Sequence, residues 1–201
     1  MSLRLSGGRR LQSPPGELAR PTAARVRQAV FNLLAPELAG CRWLDLCCGS
    51  GVMACEALQR GASRVVAVER DRRIAAVAQA NLAAVSGGLR RQDPVPSFAV
   101  VQADVLAWLA KTPPGVAGDP SHPWGRFDLI YADPPWPADL HRAIASAVAG
   151  GQWLRPGGIL VWECPSDRVP EPPKGWRLRD SRRYGGSTVV LLEAEGVQPG
   201  G

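Results

Sequence analysis

Residues 43–51, with the sequence WLDLCCGSG, decide the fold of this chain. An apolar run breaks there into a short turn, and residues 52–60 then have the composition of a helix. Gly49 and Gly51 fit a strand-to-helix turn in which only glycine lets a ligand approach the backbone closely. Ser50 lies between them. The stretch therefore predicts an α/β fold with a ligand-binding turn after its first strand.

The spacing of this turn leaves two cofactors open. Gly49-x-Gly51-x-x-Ala54 also satisfies the loose dinucleotide fingerprint, so an NAD-type site is one interpretation. Asp45 favours the other, because a carboxylate at the strand end would repel a pyrophosphate. Such a carboxylate suits a ligand that carries positive charge, and S-adenosylmethionine (SAM) does so through its ammonium and sulfonium groups.

Two more acidic positions fit an adenine nucleoside. Glu69 lies 18 residues beyond Gly51, where an acid can accept both ribose hydroxyls. Asp104, with its neighbour Val105, is placed to hold the adenine amine. Both roles fit SAM and NAD equally, so these residues predict a nucleoside site without deciding the cofactor.

Strands alternate with helices along most of the chain, which predicts a mostly parallel sheet with helices on both faces. Tyr184-Gly185-Gly186 predicts a closing antiparallel hairpin, and residues 86–97 and 112–126 predict surface loops. The carboxyl ends of strands one to four are expected to lie side by side, where such sheets bind ligands. Four acids follow those strands: Asp45, Glu69, Asp104 and Asp133. The predicted strands are 42–46, 65–68, 98–103, 127–132, 159–164, 176–182 and 187–194.

Asp133-Pro134-Pro135-Trp136, after strand four, decides between the chemistries. Two consecutive prolines fix the backbone and withhold two N–H donors. The Asp133 carboxylate and the Pro134 carbonyl can then accept both hydrogens of one exocyclic amine, and Trp136 offers a flat face for a base. This turn predicts a methyltransferase acting on an amine, with Asp133, Pro134 and Trp136 as its catalytic residues and with no metal.

Composition and length place limits on the rest. A chain of 201 residues predicts one domain at 21–195, preceded by a basic arm at 1–20 and followed by a frayed tail at 196–201. No apolar run approaches a membrane span and no signal peptide is evident, so the default location is the cytoplasm. A monomer is the default expectation for the oligomeric state. The five cysteines form no Cys-x-x-Cys pair, which favours small buried side chains over zinc or disulfides.

Positive charge concentrates near both ends of the chain. The formal net charge is +6. Residues 1–31 hold six arginines against one acid, and residues 168–183 hold six basic groups against two acids. This distribution favours a nucleic-acid partner, with a solvated basic surface as the alternative. The predicted RNA contacts from this argument are Arg9, Arg10, Arg182 and Arg183.

At this point the sequence resembles the bacterial 16S ribosomal RNA (guanine(966)-N(2))-methyltransferases. The N-terminal block RRLQSPPGELARPTAARVRQAVFN is the most distinctive match, within it RPT-x-x-RVR. LDLCCGSGVMACEALQRGA resembles the SAM turn and its helix, VERD the ribose-binding strand end, and ADPPW the catalytic turn. Gln28, the pair Cys47-Cys48 and Trp136 depart from the usual residues of that family without removing a chemical role.

The resemblance implies a Rossmann-like class I fold with a seven-stranded sheet, SAM as cofactor, and N2 methylation of one guanine in small-subunit rRNA. The partner it implies is 16S rRNA in the 30S subunit or a late assembly intermediate. It also implies that Arg20, Thr22 and Arg25 in the arm close over cofactor or RNA.

Three alternatives remain from the residues alone. The same chemistry could serve adenine N6 in RNA or DNA, or another guanine; the absence of a separate target-recognition domain counts against DNA. An NAD-dependent oxidoreductase matches the glycines but leaves Asp45 and the Pro-Pro-Trp turn unexplained. A catalytically silent RNA-binding module would not need the four acids and Trp136.

Overall fold

The structure is a computed structural model that describes residues 3–14, 23–89, 94–111, 125–136 and 140–195. Several predicted features lie outside these described residues. They are Arg20 and Thr22, most of the loop at 112–126, and the tail at 196–201.

Seven strands form one sheet in the order β3-β2-β1-β4-β5-β7-β6. Strand pairs β1–β2, β2–β3 and β4–β5 are parallel, whereas β7 pairs antiparallel with β5 and with β6. The predicted fold class, a mostly parallel sheet with a C-terminal antiparallel hairpin, is therefore confirmed. The strands are β1 (Arg42–Leu46), β2 (Arg64–Glu69), β3 (Ser97–Gln102), β4 (Phe127–Ala132), β5 (Leu154–Pro165), β6 (Trp176–Tyr184) and β7 (Ser187–Ala194).

The helices follow the predicted order with shifted ends. In the described residues, α4 continues to Gly88, so the first part of the predicted loop at 86–97 is helical. The last described helix begins at His141. The helices are α1 (Ala24–Leu33), α2 (Ala35–Leu38), α3 (Val52–Gln59), α4 (Arg72–Gly88), α5 (Val105–Lys111) and α6 (His141–Gly150).

The chain divides into two compact units, Met1–Ala103 and Asp104–Gly201. In the first, β1 and β2 are buried over almost their whole length, as expected for parallel strands covered on both faces. In the second, β7 is buried over most of its length, whereas most residues of β6 are exposed. None of the described helices is long and apolar enough to cross a membrane.

Strand β5 is longer than the sequence predicts. Residues 155–158, Arg-Pro-Gly-Gly, have the composition of a turn and precede the predicted strand 159–164, but they lie inside β5. The pairing with β4 shifts there, because Phe127 pairs with Leu154 and Leu129 with Ile159. Gly157 has a φ of 75°, so glycine permits the irregularity. The turn signal marked a bulge and not a strand end.

The N-terminal arm is packed more closely than the sequence indicates. Leu5 and Leu11 are only 3% and 8% exposed, so the expectation that this segment lies outside the core is wrong for them. The arm folds back on itself, with a bridge between Arg4 and Arg10 and a hydrogen bond from the Leu5 amide to the Arg9 carbonyl. Burial of these two apolar side chains, on one face of the small hairpin, stabilises its packing against the rest of the unit.

A buried carboxylate holds the hairpin and α1 to α3. Glu56 is fully buried and accepts from the Ser6 amide at 3.1 Å and from Arg60 Nε at 2.8 Å. Arg27 Nε lies 3.5 Å from the same carboxylate, and Arg27 Nη2 donates to the Arg4 carbonyl. Burial alone would raise the pKa of Glu56, but the bonds from Ser6 and Arg60 lower it, so the group is charged.

Candidate active site

The turn after β1 has the backbone conformation that the glycines predict. Gly49 and Gly51 have φ angles of 54° and 73°. A Cβ atom on Gly51 would lie 3.1 Å from the Ala78 Cβ of α4, so close packing as well as backbone angle favours glycine. Cys47 also has a positive φ, 61°, which is uncommon for a residue with a side chain. The sequence had marked Cys47 only as a departure from the usual residue of the family, not as a position with a positive φ.

Asp45 is a buried carboxylate at the end of β1. It is 1% exposed, and its Oδ2 accepts a hydrogen bond of 2.9 Å from the Ala54 amide in the first turn of α3. Burial raises the pKa of Asp45 to about 8, the bond from Ala54 opposes the rise, and the charge of Glu69 adds to it. The group is therefore close to its titration point at neutral pH, and a cation beside it would stabilise the charged form.

Glu69 joins the same turn from the end of β2. Its Oε2 accepts from the Gly49 amide at 3.0 Å, and its Oε1 accepts from the Asp71 amide at 2.9 Å. A carboxylate has about four lone-pair positions, so both oxygens can accept further hydrogen bonds. The first unit thus brings Asp45, residues 49–51 and Glu69 together around one turn.

Asp104 and Val105 open the second unit. Asp104 is exposed, and its Oδ1 accepts from the amides of Leu106 and Ala107, each at 3.1 Å, so it caps α5. Val105 is 5% exposed. The capping role, which the sequence could not separate from a ligand role, is the one that these hydrogen bonds display. Because both of these bonds use Oδ1, the Asp104 Oδ2 atom can still serve as an acceptor.

The predicted catalytic turn leaves β4 at Asp133. Asp133 and Trp136 are half-buried, Pro134 is buried and Pro135 is exposed. The second unit therefore presents a carboxylate, a proline carbonyl and an indole within four consecutive residues whose backbone the prolines restrict. Asp133 also contributes, after burial and Glu163, to raising the pKa of Cys164 to about 12.

Behind the turn lies a buried polar cluster that the sequence analysis missed. The Tyr131 hydroxyl donates to Glu163 Oε2 at 2.7 Å, and His141 Nε2 lies 2.9 Å from the Glu163 carbonyl. The His141 ring stacks on Trp162 with centroids 5.5 Å apart. These contacts tie the end of β4 and the start of α6 to β5. The pairing of β4 with β5 and the contact of α6 with β5 bring these residues together, so no sequence spacing could have indicated the cluster.

The predicted RNA-binding arginines differ in what they already contact. Arg9 Nη1 donates to the Ala84 carbonyl near the end of α4 at 2.7 Å, and Arg182 Nε lies 3.0 Å from Asp180 Oδ2. Arg183 Nε donates to the Gly185 carbonyl. Within the described residues, exposed Arg10 and Arg25 have no side-chain hydrogen bond or ion pair. These last two present the least committed positive charge.

One arginine of the N-terminal block is not a surface charge at all. Arg27 is 4% exposed and lies against the buried Glu56. Burial lowers its pKa and Glu56 opposes that change. The basic surface inferred for residues 1–31 is therefore smaller by one charge than the sequence count suggests.

The cysteines behave as small apolar side chains. All five are free, and Cys41, Cys48, Cys55 and Cys164 are buried. Burial raises the pKa of Cys48 and Cys55 well above the ordinary thiol value, and nearby carboxylates such as Asp45 add to the rise. A thiol in such a place is held protonated, which disfavours nucleophilic or metal-binding roles.

Comparison with known proteins identifies the family. The family model described as Conserved hypothetical protein 95 matches residues 5–193. The chain belongs to this family. Among relatives of this Conserved hypothetical protein 95 member, Ribosomal RNA small subunit methyltransferase D of Escherichia coli is 28% identical over 189 residues, covering 94% of this chain and 86% of that protein. The protein of the same name from Haemophilus influenzae is 29% identical over 178 residues, covering 89% and 84%.

Solved structures similar to this family member have the same fold. A candidate methyltransferase of Escherichia coli, yhhF, matches with a TM-score of 0.77 and 27% identity over 97% of this chain and 99% of its own. A candidate methylase of Haemophilus influenzae, HI0767, has a TM-score of 0.71 and 26% identity, covering 96% and 98%. The family membership and the class I methyltransferase fold predicted from the sequence are thus confirmed.

The burial of Asp45 predicts a pH-dependent stability. Its pKa is about 8 in the folded protein against an ordinary value of 3.8, so between these values the folded state binds a proton that the unfolded state lacks. The free energy of unfolding from this group therefore falls as the pH rises from about 4 to 8. Asp45→Asn, which stays neutral and keeps an acceptor for Ala54, is expected to raise Tm at pH 8.5 by about 4 °C or more and to raise it less at pH 5, where only part of this loss of stability has occurred.

The measurement is thermal unfolding across this pH range. Asp128→Asn is the matched control, because Asp128 pairs with the exposed Arg155 at 3.0 Å and should show no gain at high pH. Equal Tm differences between Asp45→Asn and wild type at pH 5 and pH 8.5 would contradict the assignment of a raised pKa to Asp45.

Proposed function

We propose that this protein transfers a methyl group from SAM to the exocyclic N2 amine of a guanine in 16S rRNA of the small ribosomal subunit. The observation that carries the proposal is the Asp-Pro-Pro-Trp turn at the end of β4, in a chain whose relatives are named as small-subunit rRNA methyltransferases. The family supports rRNA methylation, and the turn supports an amine as the acceptor.

The turn after β1 suits SAM on physical grounds. Gly49 and Gly51 leave the backbone open to close approach, and the buried Asp45 carboxylate accepts from the Ala54 amide without an ion pair to any residue that the structure describes. A ligand ammonium placed there would offset the cost of burying the charge. In this proposal Glu69 accepts the ribose hydroxyls, Asp104 and Val105 hold the adenine, and Ser50 contributes through the backbone of the turn. SAM supplies an electrophilic methyl group on a positively charged sulfur.

The second unit would hold the base. The amine of guanine is a poor nucleophile because its lone pair is delocalised into the ring. Hydrogen bonds from its two N–H groups to the Asp133 carboxylate and the Pro134 carbonyl favour a pyramidal nitrogen with a localised lone pair. SAM, when bound, would supply its methyl group to this nitrogen, and its sulfur would keep the electron pair of the broken carbon–sulfur bond. The extra proton on nitrogen can leave to Asp133. Acceleration comes from alignment, an effect of orientation.

A base stacked in an RNA helix cannot reach such a turn. It must be flipped out or presented in a loop, which costs a few kcal/mol of unstacking. Stacking on the half-buried Trp136 would offset part of this cost. The Tyr131–Glu163 bond and the His141 contact keep the flanking elements in place while the base is held.

We propose that RNA is held by the arginines of the arm and of β6. Arg9, Arg10, Arg20, Thr22 and Arg25 would contribute from the N-terminal side, and Arg182 and Arg183 from the β6 edge. Backbone phosphates are the expected ligands, since arginine matches their geometry and charge. The partner would be the 30S subunit or a late assembly intermediate.

Transfer of labelled methyl groups tests the substrate. The acceptors are 30S subunits lacking the modification, naked 16S rRNA and duplex DNA. Label is expected in the 30S subunit and is expected to be released as N2-methylguanine on digestion. Label only in DNA, or release as N6-methyladenine, would overturn the guanine-N2 proposal. Protection from heat denaturation by NAD in place of SAM would overturn the cofactor assignment, because a ligand that binds the folded state raises Tm.

Replacement of Asp133 separates catalysis from cofactor binding. Asp133→Ala is expected to lower the methyl-transfer rate by about a hundredfold or more, because one acceptor of the amine is lost, while SAM affinity stays near wild type. The two measurements are single-turnover transfer to 30S subunits and calorimetric titration with SAM.

Asp128→Ala on the same strand is the control, since Asp128 pairs with Arg155 at the surface. It is expected to retain both activities. A large loss of SAM affinity in Asp133→Ala would show that Asp133 acts on the cofactor, and unchanged transfer would remove it from the mechanism.

Arg10 and Arg25, whose side chains make no hydrogen bond or ion pair within the described residues, are expected to contribute most to phosphate binding. Arg10→Ala and Arg25→Ala are each expected to weaken RNA binding and to reduce the slope of log affinity against log salt by about one unit. Filter binding of 16S rRNA at several salt concentrations measures this slope. Arg155→Ala, which removes an exposed arginine paired with Asp128, is the control. An unaltered slope in both arm variants would show that these residues do not contact phosphate.

A further inference from the structure

Asn81 is a buried polar residue on α4 that the proposed reaction does not yet use. It is 2% exposed, so its amide is removed from solvent. A buried amide costs free energy unless its donors and acceptor are bonded, and here they are. Asn81 Oδ1 accepts from the Gln12 amide at 2.8 Å, and Nδ2 donates to the carbonyls of Gln12 and Ser50, each at 3.0 Å.

The three bonds join two parts of the chain that are far apart in sequence. On one side, Asn81 bonds to the backbone N–H and C=O of Gln12, much as a neighbouring strand would. The Gln12 side chain takes no part in these two bonds. On the other side, it binds the carbonyl of Ser50 in the turn after β1. Both hydrogens of the amide group are used, one for each part.

The same face of α4 supports the turn in a second way. Ala78, one helical turn before Asn81, is the residue that a Cβ atom on Gly51 would meet at 3.1 Å. Ser50 and Gly51 are thus held by consecutive turns of α4, one through a hydrogen bond and the other through close packing. A change in the conformation of the turn therefore alters the hydrogen bond between Asn81 and the Ser50 carbonyl.

The other end of the hairpin is anchored independently. The Ser6 amide donates to Glu56 Oε2, and Arg27 donates to the Arg4 carbonyl. Gln12, by contrast, is attached to α4 through Asn81. In the sequence it lies eight positions before Arg20 and ten before Thr22. Asn81 is thus the contact through which the C-terminal end of the hairpin meets the turn.

We propose that Asn81 is a positioning residue that couples the cofactor turn to the N-terminal basic arm, so that SAM binding and RNA binding strengthen each other. The inference rests on the proposed function, because it takes SAM as the ligand of the turn. SAM that orders the Ser50 carbonyl favours the bonded conformer of Asn81, which in turn orders Gln12. By linkage, RNA that orders the arm must raise SAM affinity by the same factor.

Amide hydrogen exchange of the full-length protein tests the coupling without RNA. In wild type, saturating SAM is expected to slow exchange at the Gln12 amide by about fivefold or more. In Asn81→Ala the Gln12 amide is expected to exchange fast and without response to SAM. The Ser6 amide, bonded to Glu56, is expected to stay protected in both, which shows that the variant is folded.

Two substitutions at Gln12 are matched controls. Gln12→Ala keeps both backbone groups and is expected to behave as wild type. Gln12→Pro removes the N–H that donates to Asn81 Oδ1 and also restricts the backbone at Leu11 and at position 12. It is expected to leave SAM affinity within about twofold of wild type while abolishing the gain of about fivefold in 16S rRNA affinity that SAM produces in wild type.

The outcomes separate the two proposals. If SAM binds wild type and slows exchange at residues 47–51 but leaves Gln12 unchanged, or if Asn81→Ala retains the SAM effect at Gln12, the coupling is overturned and the proposed function stands. If SAM neither raises Tm nor changes exchange anywhere in wild type, the proposed function is overturned and the coupling falls with it.

Discussion

The buried carboxylate of Asp45 is the constraint on which the first unit depends. It closes β1 onto α3 by accepting the Ala54 amide, and it does so at 1% exposure. Burial opposes its charge and raises its pKa to about 8. A neutral side chain at this position would cost less free energy of folding. A group kept at a cost to stability is typical of a functional site, where the cost is recovered when a ligand of opposite charge binds.

A second buried acid organises the N-terminal block. Glu56 holds the hairpin through the Ser6 amide and pairs with Arg27 and Arg60. Because it is surrounded by donors, its pKa is lowered and not raised, the opposite of Asp45. The contrast has one physical origin: burial disfavours both charges, and only Glu56 has enough hydrogen bonds and cations nearby to outweigh it.

In the second unit the predicted catalytic turn is restrained both by its own backbone and by its neighbours. The two prolines restrict its own backbone, and the Tyr131–Glu163–His141 cluster holds the strand before it and the helix after it. Glu163 connects the two through different atoms, its side chain to Tyr131 and its carbonyl to His141. A turn supported in this way can hold an amine in one orientation, which is what the proposed transfer requires.

The sequence by itself predicted the alternation of strands and helices, the glycine turn, the four acids at strand ends and the Pro-Pro-Trp turn. It could do so because each of these depends on residues close together in the chain, through backbone freedom at glycine or its restriction at proline. It missed the burial of Leu5 and Leu11 and the bulge at 155–158 inside β5. Only the tertiary structure decided that Arg27 is buried, that Arg9 bonds to the Ala84 carbonyl, that Tyr131 meets Glu163 and that Asn81 joins Gln12 to Ser50. Those contacts link residues 29 to 75 positions apart, and packing of helices and strands, which no local pattern encodes, brings their atoms close together.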